Sequence, residues 1–344
     1  SRPIPGALHD EALHGVVDVL REIGLADGLL AVGHRVVHGG SKFAGSMAIT
    51  PEVIAKVEEC IPLGPLHNPP NLVGIRIAQN LFPGLLQVGV FDTAFHQTMP
   101  EVAYTYPVPH EWLEKHGVRR YGFHGTSHRF VAREALRLAG LPAGDHAIVT
   151  AHLGNGCSAA AVRNGKSVDT TMGLTPLEGL VMGTRSGSID PAIIGHVADA
   201  TGKNAKEILD VLNKKSGLLG VSGLSNDMRT VEEAAAGGNE RARLALDLFC
   251  YVLAKTIAAL VVPLGRLDAL VFTGGIGENS TTVRSMTVER LGFLGLELDA
   301  AANARHGRGQ NGRITTGTRP QALVVPTNEE LMIAEDAERI ARGA

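Results

Sequence analysis

Cysteine is scarce in this chain: 344 residues carry three, at Cys60, Cys157 and Cys250. They are scattered, odd in number and form no CxxC pair. That excludes a disulfide framework and fits free thiols in a reducing cytosol, so a cytoplasmic location is expected. Aromatic residues are also few, at 4%, which argues against stacking platforms for nucleic acid. An excess of one charge sign is missing. The net charge is −3 and the pI near 6.5, with no basic tail or stripe, so neither nucleic acid nor an anionic membrane is expected as a partner. Neither a signal peptide nor a long charge-free apolar run appears. The best candidate, residues 251–265, is broken by Lys255 and Pro263 and reads as a core helix. Two familiar phosphate motifs are absent as well: no GxGxxG spacing marks a Rossmann turn, and no Walker lysine marks a P-loop. The chain starts at Ser1 without Met, so its natural start is expected upstream.

The apolar fraction of 44% supports full cores, and this length suggests two domains. One stretch concentrates meaning: GLTPLEGLVMGTRSG, residues 173–187. Four glycines and Pro176 forbid a regular helix or strand. The stretch is mostly apolar and holds one cation, Arg185. Such a loop suits a closed pocket that receives an anion, since the guanidinium offers a rigid fork of donors. A buried connection with Arg185 in a structural ion pair is the plainer alternative.

Taken in order, helical spacing over 8–23 stops at Gly24. An apolar run over 29–37 ends in His38-Gly39-Gly40 and reads as a buried parallel strand. Thr50 and Pro51 open a helix to 60. Residues 62–71, PLGPLHNPPN, read as a stiff loop, 72–81 as a helix, and 87–91 as a strand ending in Asp92. YGFHGTSH, 121–128, precedes a helix to 139. Strands follow at 146–153, 157–163 and 166–171, joined by a glycine turn and by Asn164-Gly165, a strong hairpin signal. Helices are expected over 205–213, 230–236 and 240–262. A strand over 268–273 runs into the glycine turn TGGIGEN. A helix over 281–291 and a strand over 322–326 precede a last helix, capped by Asn328 and reaching 342.

This order repeats. Strand–HGG, helix, strand–Asp in the first half matches strand–TGG, helix, strand–Pro-Thr-Asn in the second. A three-stranded meander precedes the second copy and is missing before the first. The expected fold is α/β, a duplicated actin-like/sugar-kinase (ribonuclease H-like) layout with two domains around a cleft. The first domain takes 1–95 plus 328–344, and the second, nucleotide-binding, takes 96–327. A doubly wound sheet would also suit the strand–helix alternation, and the repeat decides between them.

Several residues carry candidate chemistry. AHLGNG, 151–156, is a turn rich in backbone donors that a phosphate could approach, or an ordinary hairpin. The amides of TGGIGEN, 273–279, suit a phosphate or the sugar end of a nucleotide. Asp92 follows a buried strand at the end where α/β folds place their sites, or is a turn former. Arg35, at the end of a buried strand, needs an anion: Asp92 or a ligand. His124 and His128 stand four apart, but too few further ligands accompany them for zinc. Glu329 and Glu330 open the last helix, either as dipole partners or with one of them holding a metal.

GHRVVHGG at Gly33, PLHNPPN at Pro65, VFDTAFHQTMP at Val90, YGFHGTSH at Tyr121, AHLGNG at Ala151, GLTPLEGLVMGTRSG at Gly173, FTGGIGEN at Phe272 and VPTNEEL at Val325 together resemble the acetate kinase family. The match is collinear over nearly the whole chain. The resemblance implies transfer of a phosphoryl group between ATP and acetate, with Mg²⁺ (Mn²⁺ as an alternative), in a homodimer. It implies that Arg35 and Arg185 flank the acyl and transferring phosphoryl groups, that Asp92 is essential, and that His124 stabilises the phosphoryl. His152, Leu153, Gly154, Asn155, Gly156, Asp227, Met228, Arg229, Gly275, Ile276, Gly277, Glu278 and Asn279 would contact the nucleotide. Glu329 would serve the metal, with Glu330 the neighbouring alternative. Val37, Leu66, Phe123 and Pro176 would line the methyl pocket. Val37 narrows that pocket, so propionate is expected to be a slower substrate rather than an excluded one. The family's opening glycine–serine hairpin has no counterpart here, so the polypeptide without it is expected to be inactive. A propionate or butyrate kinase and a non-catalytic actin-like nucleotide-binding module are the rival readings. Asp92 is expected to orient Arg35 or metal-bound waters; the competing route makes it, or a nearby glutamate, a phosphorylated nucleophile.

Overall fold

The computed structural model describes residues 9–25, 28–65 and 67–343. They form two compact units, one of residues 1–97 with 328–344 and one of residues 98–327. The strands, in chain order, are β1 (Ala31–Val36), β2 (Met47–Ala48), β3 (Leu86–Phe91), β4 (Ala147–Leu153), β5 (Cys157–Arg163), β6 (Lys166–Thr170), β7 (Ala269–Thr273), β8 (Gly312–Arg313) and β9 (Gln321–Val324).

In the second unit the order is β6-β5-β4-β7-β9-β8. β4, β5 and β6 form an antiparallel meander, β7 and β9 extend it in parallel with β4, and β8 closes antiparallel on β9. This is the ribonuclease H-like order. AIVTAHL, ALVFT and QALV are buried almost throughout, as expected for strands covered on both faces. Asn164 and Gly165, at φ 51° and 76°, make the primed turn that suits the twist of β5 and β6. Helix Gly125–Ala139 packs on β4 and β7, and helix Glu240–Val261 on β4 and β5. The latter is long and apolar enough to cross a membrane by composition, but it turns a stripe of Ala242, Leu246, Phe249, Leu253 and Ile257 into the core.

The first unit has the order β1-β3-β2, with β1 and β3 parallel and β2 antiparallel on β3. This mirrors β7-β9-β8, which is the duplication read from the sequence. Among the described residues no strand pairs with the outer edge of β1, the position that β4 occupies beside β7. Val36, Phe43, Val53, Val57, Leu72, Ile75 and Phe91 form one core cluster, in which Phe43 stacks on Phe91 at 4.1 Å. Val88, Val90 and Ala337 form another, joined by Ile333 and Ile340 of helix Glu329–Ala341.

Two local expectations need correction. The stiff loop over 62–71 is half helix: Asn68–Leu81 is one element, with proline in its first turn, where the missing N–H is an orphan anyway. The glycine turn TGGIGEN is also a helix, Gly274–Asn279. Its tertiary bonds offset the poor helix propensity of glycine. Glu278 Oε1 accepts from Gly274 N at 3.0 Å, and Arg284 reaches the helix's last carbonyls. Short elements such as Gly217–Ser222 and Ala300–Arg305 escaped the sequence reading because so few residues carry no periodic signal.

Arg284 is fully buried. It donates to the carbonyls of Gly277 (3.0 Å), Glu278 (2.8 Å), Asn303 (2.8 Å) and His306 (3.0 Å), and to Asn303 Oδ1 (2.7 Å). Burial lowers its pKa to about 10. Replacing it by methionine keeps the volume and strands those acceptors. Arg284→Met is expected to destabilise the second unit by on the order of 3 kcal/mol, read as a lower urea midpoint.

Candidate active site

In the first unit, β1 and β3 run parallel with Val36 opposite Phe91, so Arg35, Val37 and Asp92 emerge at one edge. Asp92 N donates to Val36 O at 3.0 Å. Its carboxylate takes both ends of the Arg35 fork, Nε to Oδ1 at 3.0 Å and Nη2 to Oδ2 at 2.7 Å. Asp92 is 1% exposed and the Arg35 side chain 43%. The anion Arg35 needed is therefore Asp92, whose charge raises the guanidinium's pKa. PLHNPPN has a structural role here: Asn71 Oδ1 accepts from Val37 N at 3.1 Å and Asn68 Oδ1 from His38 N at 3.1 Å. These two asparagines hold the turn after β1, a role that no local pattern signals. Leu66 lies outside the described residues.

Glu329 opens helix Glu329–Ala341, behind Asn328, whose side chain caps Leu331 N at 2.9 Å. Glu329 Oε1 is buried without a hydrogen-bond partner. Burial pushes its carboxyl pKa up; the Arg35 charge opposes the shift, and Asp92 and Glu330 add to it. An orphaned buried carboxylate oxygen is what a hard cation satisfies, so the residues fit Mg²⁺. Among the described residues no three His, Cys, Asp or Glu side chains are arranged to hold a metal ion by themselves. The ion would then keep water and phosphate oxygens as its other ligands, as Mg²⁺ does. Glu330 is exposed.

In the second unit, three histidines and an arginine gather around AHLGNG. His124 precedes helix Gly125–Ala139 in the left-handed conformation, φ 56°. Its ring stacks on His152 at 4.4 Å. A first side-chain carbon on Gly156 would stand 3.4 Å from Arg185 Nη1 and 3.5 Å from His124 Nε2, so both donors converge on that turn. Arg185 Nη1 donates to Pro176 O at 3.0 Å and lies 3.8 Å from Met182 Sδ. Among the described residues no carboxylate pairs with it, and burial lowers its pKa. The structural ion pair weighed for Arg185 is absent, and an anion-receiving role gains support. The loop carrying it is anchored by Glu178, bonded to Tyr106 OH and to Arg120 Nη2 (2.8 Å). A side chain at Gly173 would push Glu178 and Tyr106 out of this contact. Phe123 is buried in this unit.

Beside the turn lies a cavity of about 510 Å³, lined by Gly154, Asn155, residues 226–229, Glu232, Gly275, Ile276, Asn279 and Ser280, within the size range of nucleotide and cofactor pockets. Asn226, Glu232 and Ser280 were not foreseen. Asn226 Nδ2 donates to Asn155 Oδ1 at 3.0 Å, and Glu232 bonds Ser280. Asp227 caps Arg229 N at 2.9 Å and pairs with that arginine's side chain. Leu153 is a core residue and Gly277 a buried helix residue, and neither lines the cavity. The Glu278 carboxylate points inward, accepting from Gly274 N and from Thr327 N at 3.2 Å.

A ribonuclease H-like duplication with a nucleotide-sized cavity and a guanidinium without a carboxylate partner at Arg185 marks a kinase of the actin-like class. The comparisons make the assignment specific. The acetokinase family model matches residues 2–335, and the chain belongs to the acetokinase family. Acetate kinase of Deinococcus radiodurans is 56% identical over 100% of this chain and 86% of its own length. Acetate kinase of Chromobacterium violaceum is 56% identical over 97% and 84%. Among solved structures, an acetate kinase from Porphyromonas gingivalis matches with TM-score 0.91 and 49% identity, over 97% of this chain and 85% of that one. A propionate kinase from Francisella tularensis matches with TM-score 0.91 and 45% identity, over 96% and 85%.

Burial places the folded-state pKa of Glu329 above its unfolded value. Such a carboxyl favours folding while protonated. That contribution is lost as pH rises through the folded pKa, and the ionised form opposes folding at neutral pH. Glu329→Gln is therefore expected to raise the thermal midpoint of the metal-free protein at neutral pH. The gain should shrink as pH falls through the carboxyl range, which melts at a series of pH values would show.

Proposed function

We propose that this chain transfers the γ-phosphoryl group of ATP to acetate, reversibly, giving ADP and acetyl phosphate. The observation that carries the reading is the unpaired guanidinium of Arg185 beside His124 and the AHLGNG turn, in a chain more than half identical to acetate kinases. A half-buried cation without an anion is costly to keep unless a ligand supplies one.

Acetate is ionised at neutral pH, so its attacking oxygen needs no general base. Asp92, with both oxygens on Arg35 and almost no exposure, orients that arginine. This favours direct in-line transfer over a phosphorylated Asp92. Arg35 and Arg185 are assigned to the acyl and transferring phosphoryl groups, and His124 to an equatorial phosphoryl oxygen. The nucleotide is assigned to the cavity beside Asn155 and Gly275 and the methyl group to Val37, Leu66, Phe123 and Pro176. Mg²⁺, held by Glu329 directly or through water, would neutralise phosphate charge. The same reading includes a homodimer, on family grounds, and a cytoplasmic location, which the three buried free cysteines support.

The likeness to a propionate kinase keeps a longer acyl substrate as a second reading. One methylene in an apolar pocket is worth only about 1–3 kcal/mol. A hydroxamate assay on the full gene product, run with ATP and acetate, propionate or butyrate, tests both: kcat/KM should be highest for acetate, and a higher value for propionate would reverse the assignment. Absence of transfer to any carboxylate, with ATP still bound, would favour the non-catalytic module. Arg35→Ala and Arg185→Ala are each expected to lower kcat by on the order of 10²–10³, like other lost transition-state donors.

A further inference from the structure

We propose that Ser158 is a positioning residue for the transfer: with Thr150 and His128 it fixes the ring proton of His124 on Nε2, so that His124 meets the phosphoryl as a donor. The proposal rests on the function assigned above and deepens it.

Four groups form a continuous chain. Thr150 Oγ1 lies 2.7 Å from His128 Nδ1, His128 Nε2 lies 2.7 Å from Ser158 Oγ, and Ser158 Oγ lies 2.8 Å from His124 Nδ1. Each hydroxyl has one proton, and a neutral imidazole carries one N–H. An ordering with Ser158 accepting from both rings would leave its fully buried hydroxyl proton without an acceptor; two orderings remain. In the first, Thr150 donates to His128 Nδ1, His128 Nε2–H donates to Ser158, and Ser158 O–H donates to His124 Nδ1. His124 is left with its proton on Nε2. In the second, every bond is reversed, and His124 Nε2 is a bare acceptor.

The far end of the chain chooses between them. In the reversed ordering the Thr150 proton has only the carbonyl of Ala160, at 3.5 Å, the outer limit of a hydrogen bond. In the first ordering the Thr150, His128 and Ser158 protons sit in bonds of 2.7 or 2.8 Å, and the fourth proton falls at the half-buried His124 ring rather than on the buried Thr150. Thr150, His128 and Ser158 are all fully buried, so water does not compete for the unspent proton. The scaffold is a paired and buried stretch of sheet. Thr150 and Ser158 stand on the neighbouring strands β4 and β5, where Thr150 pairs with Ala160 and His152 with Ser158. His128 comes from the helix packed on β4. His124 Nε2, the nitrogen that carries the proton, is the one facing Gly156 beside Arg185 Nη1. An acceptor there would repel a phosphoryl oxygen; a donor matches it.

Two measurements on the full gene product test this. In ¹⁵N spectra of the histidine rings, with His124 assigned by its loss in His124→Ala, wild type should show a bare Nδ1 and a protonated Nε2. Ser158→Ala should move both towards the average of two tautomers. A wild-type His124 protonated on Nδ1, or a pattern unchanged in Ser158→Ala, would overturn the proposal. In kinetics, Ser158→Ala should lower kcat on the order of 10-fold, the size of coupling between residues in contact. KM for acetate and ATP should stay within about twofold. The loss should vanish in a His124→Ala background, whereas an equal loss there would make Ser158 merely structural and refute the idea. If wild type transfers nothing, the assigned function fails, and the spectra still judge the proton's position.

Discussion

A guanidinium taken out of water needs an anion, and in the second unit Arg185 has none. It holds a carbonyl and a thioether in place of a carboxylate. Much of the surrounding architecture makes that arrangement bearable and keeps it open. Glu178, the carboxylate carried by the same loop, is taken by Tyr106 and Arg120. Both nitrogens of His128 are spent on hydroxyls. Gly156 leaves the space in front of Arg185 and His124 unfilled. What remains is a guanidinium without an anion beside the His124 ring, next to a cavity of nucleotide size.

The first unit solves a different problem. Arg35 is paired, and its partner Asp92 is so buried that both oxygens are spent on it. Such a pair fixes the direction of the guanidinium. It also argues against Asp92 as a nucleophile, since an attacking oxygen would first have to surrender a bidentate partner. Glu329 is the complement: a carboxylate oxygen with nothing bound to it. The first unit thus offers an oriented cation and a carboxylate oxygen still open to a hard ion.

Periodicity and turn chemistry made most of the fold legible. The hairpin at Asn164-Gly165 and the buried runs of β4, β7 and β9 are local signals, and the repeat of strand, glycine turn, helix and strand told the class. The failures have physical causes. Pro69 and Pro70 read as loop because a proline pair breaks a helix interior, yet they sit in a first turn where no N–H is needed. GGIGEN read as a turn because glycine is a poor helix former; the carbonyl grip of Arg284, ten residues on from Gly274, was invisible in its composition.

The sequence by itself determined the family, the order of the strands and the residue types that handle phosphate, because these are written in contiguous motifs of fixed spacing. Tertiary structure alone decided who pairs with whom: that Asp92 and not a ligand takes Arg35, that Arg185 stays unpaired, that Glu278 turns inward, and that Ser158 joins two histidines. Those outcomes depend on distances of about 3 Å between residues tens of positions apart, such as Arg35 and Asp92 or Ser158 and His124. Hydrogen bonding is resolved only at that range, and no spacing along the chain encodes it.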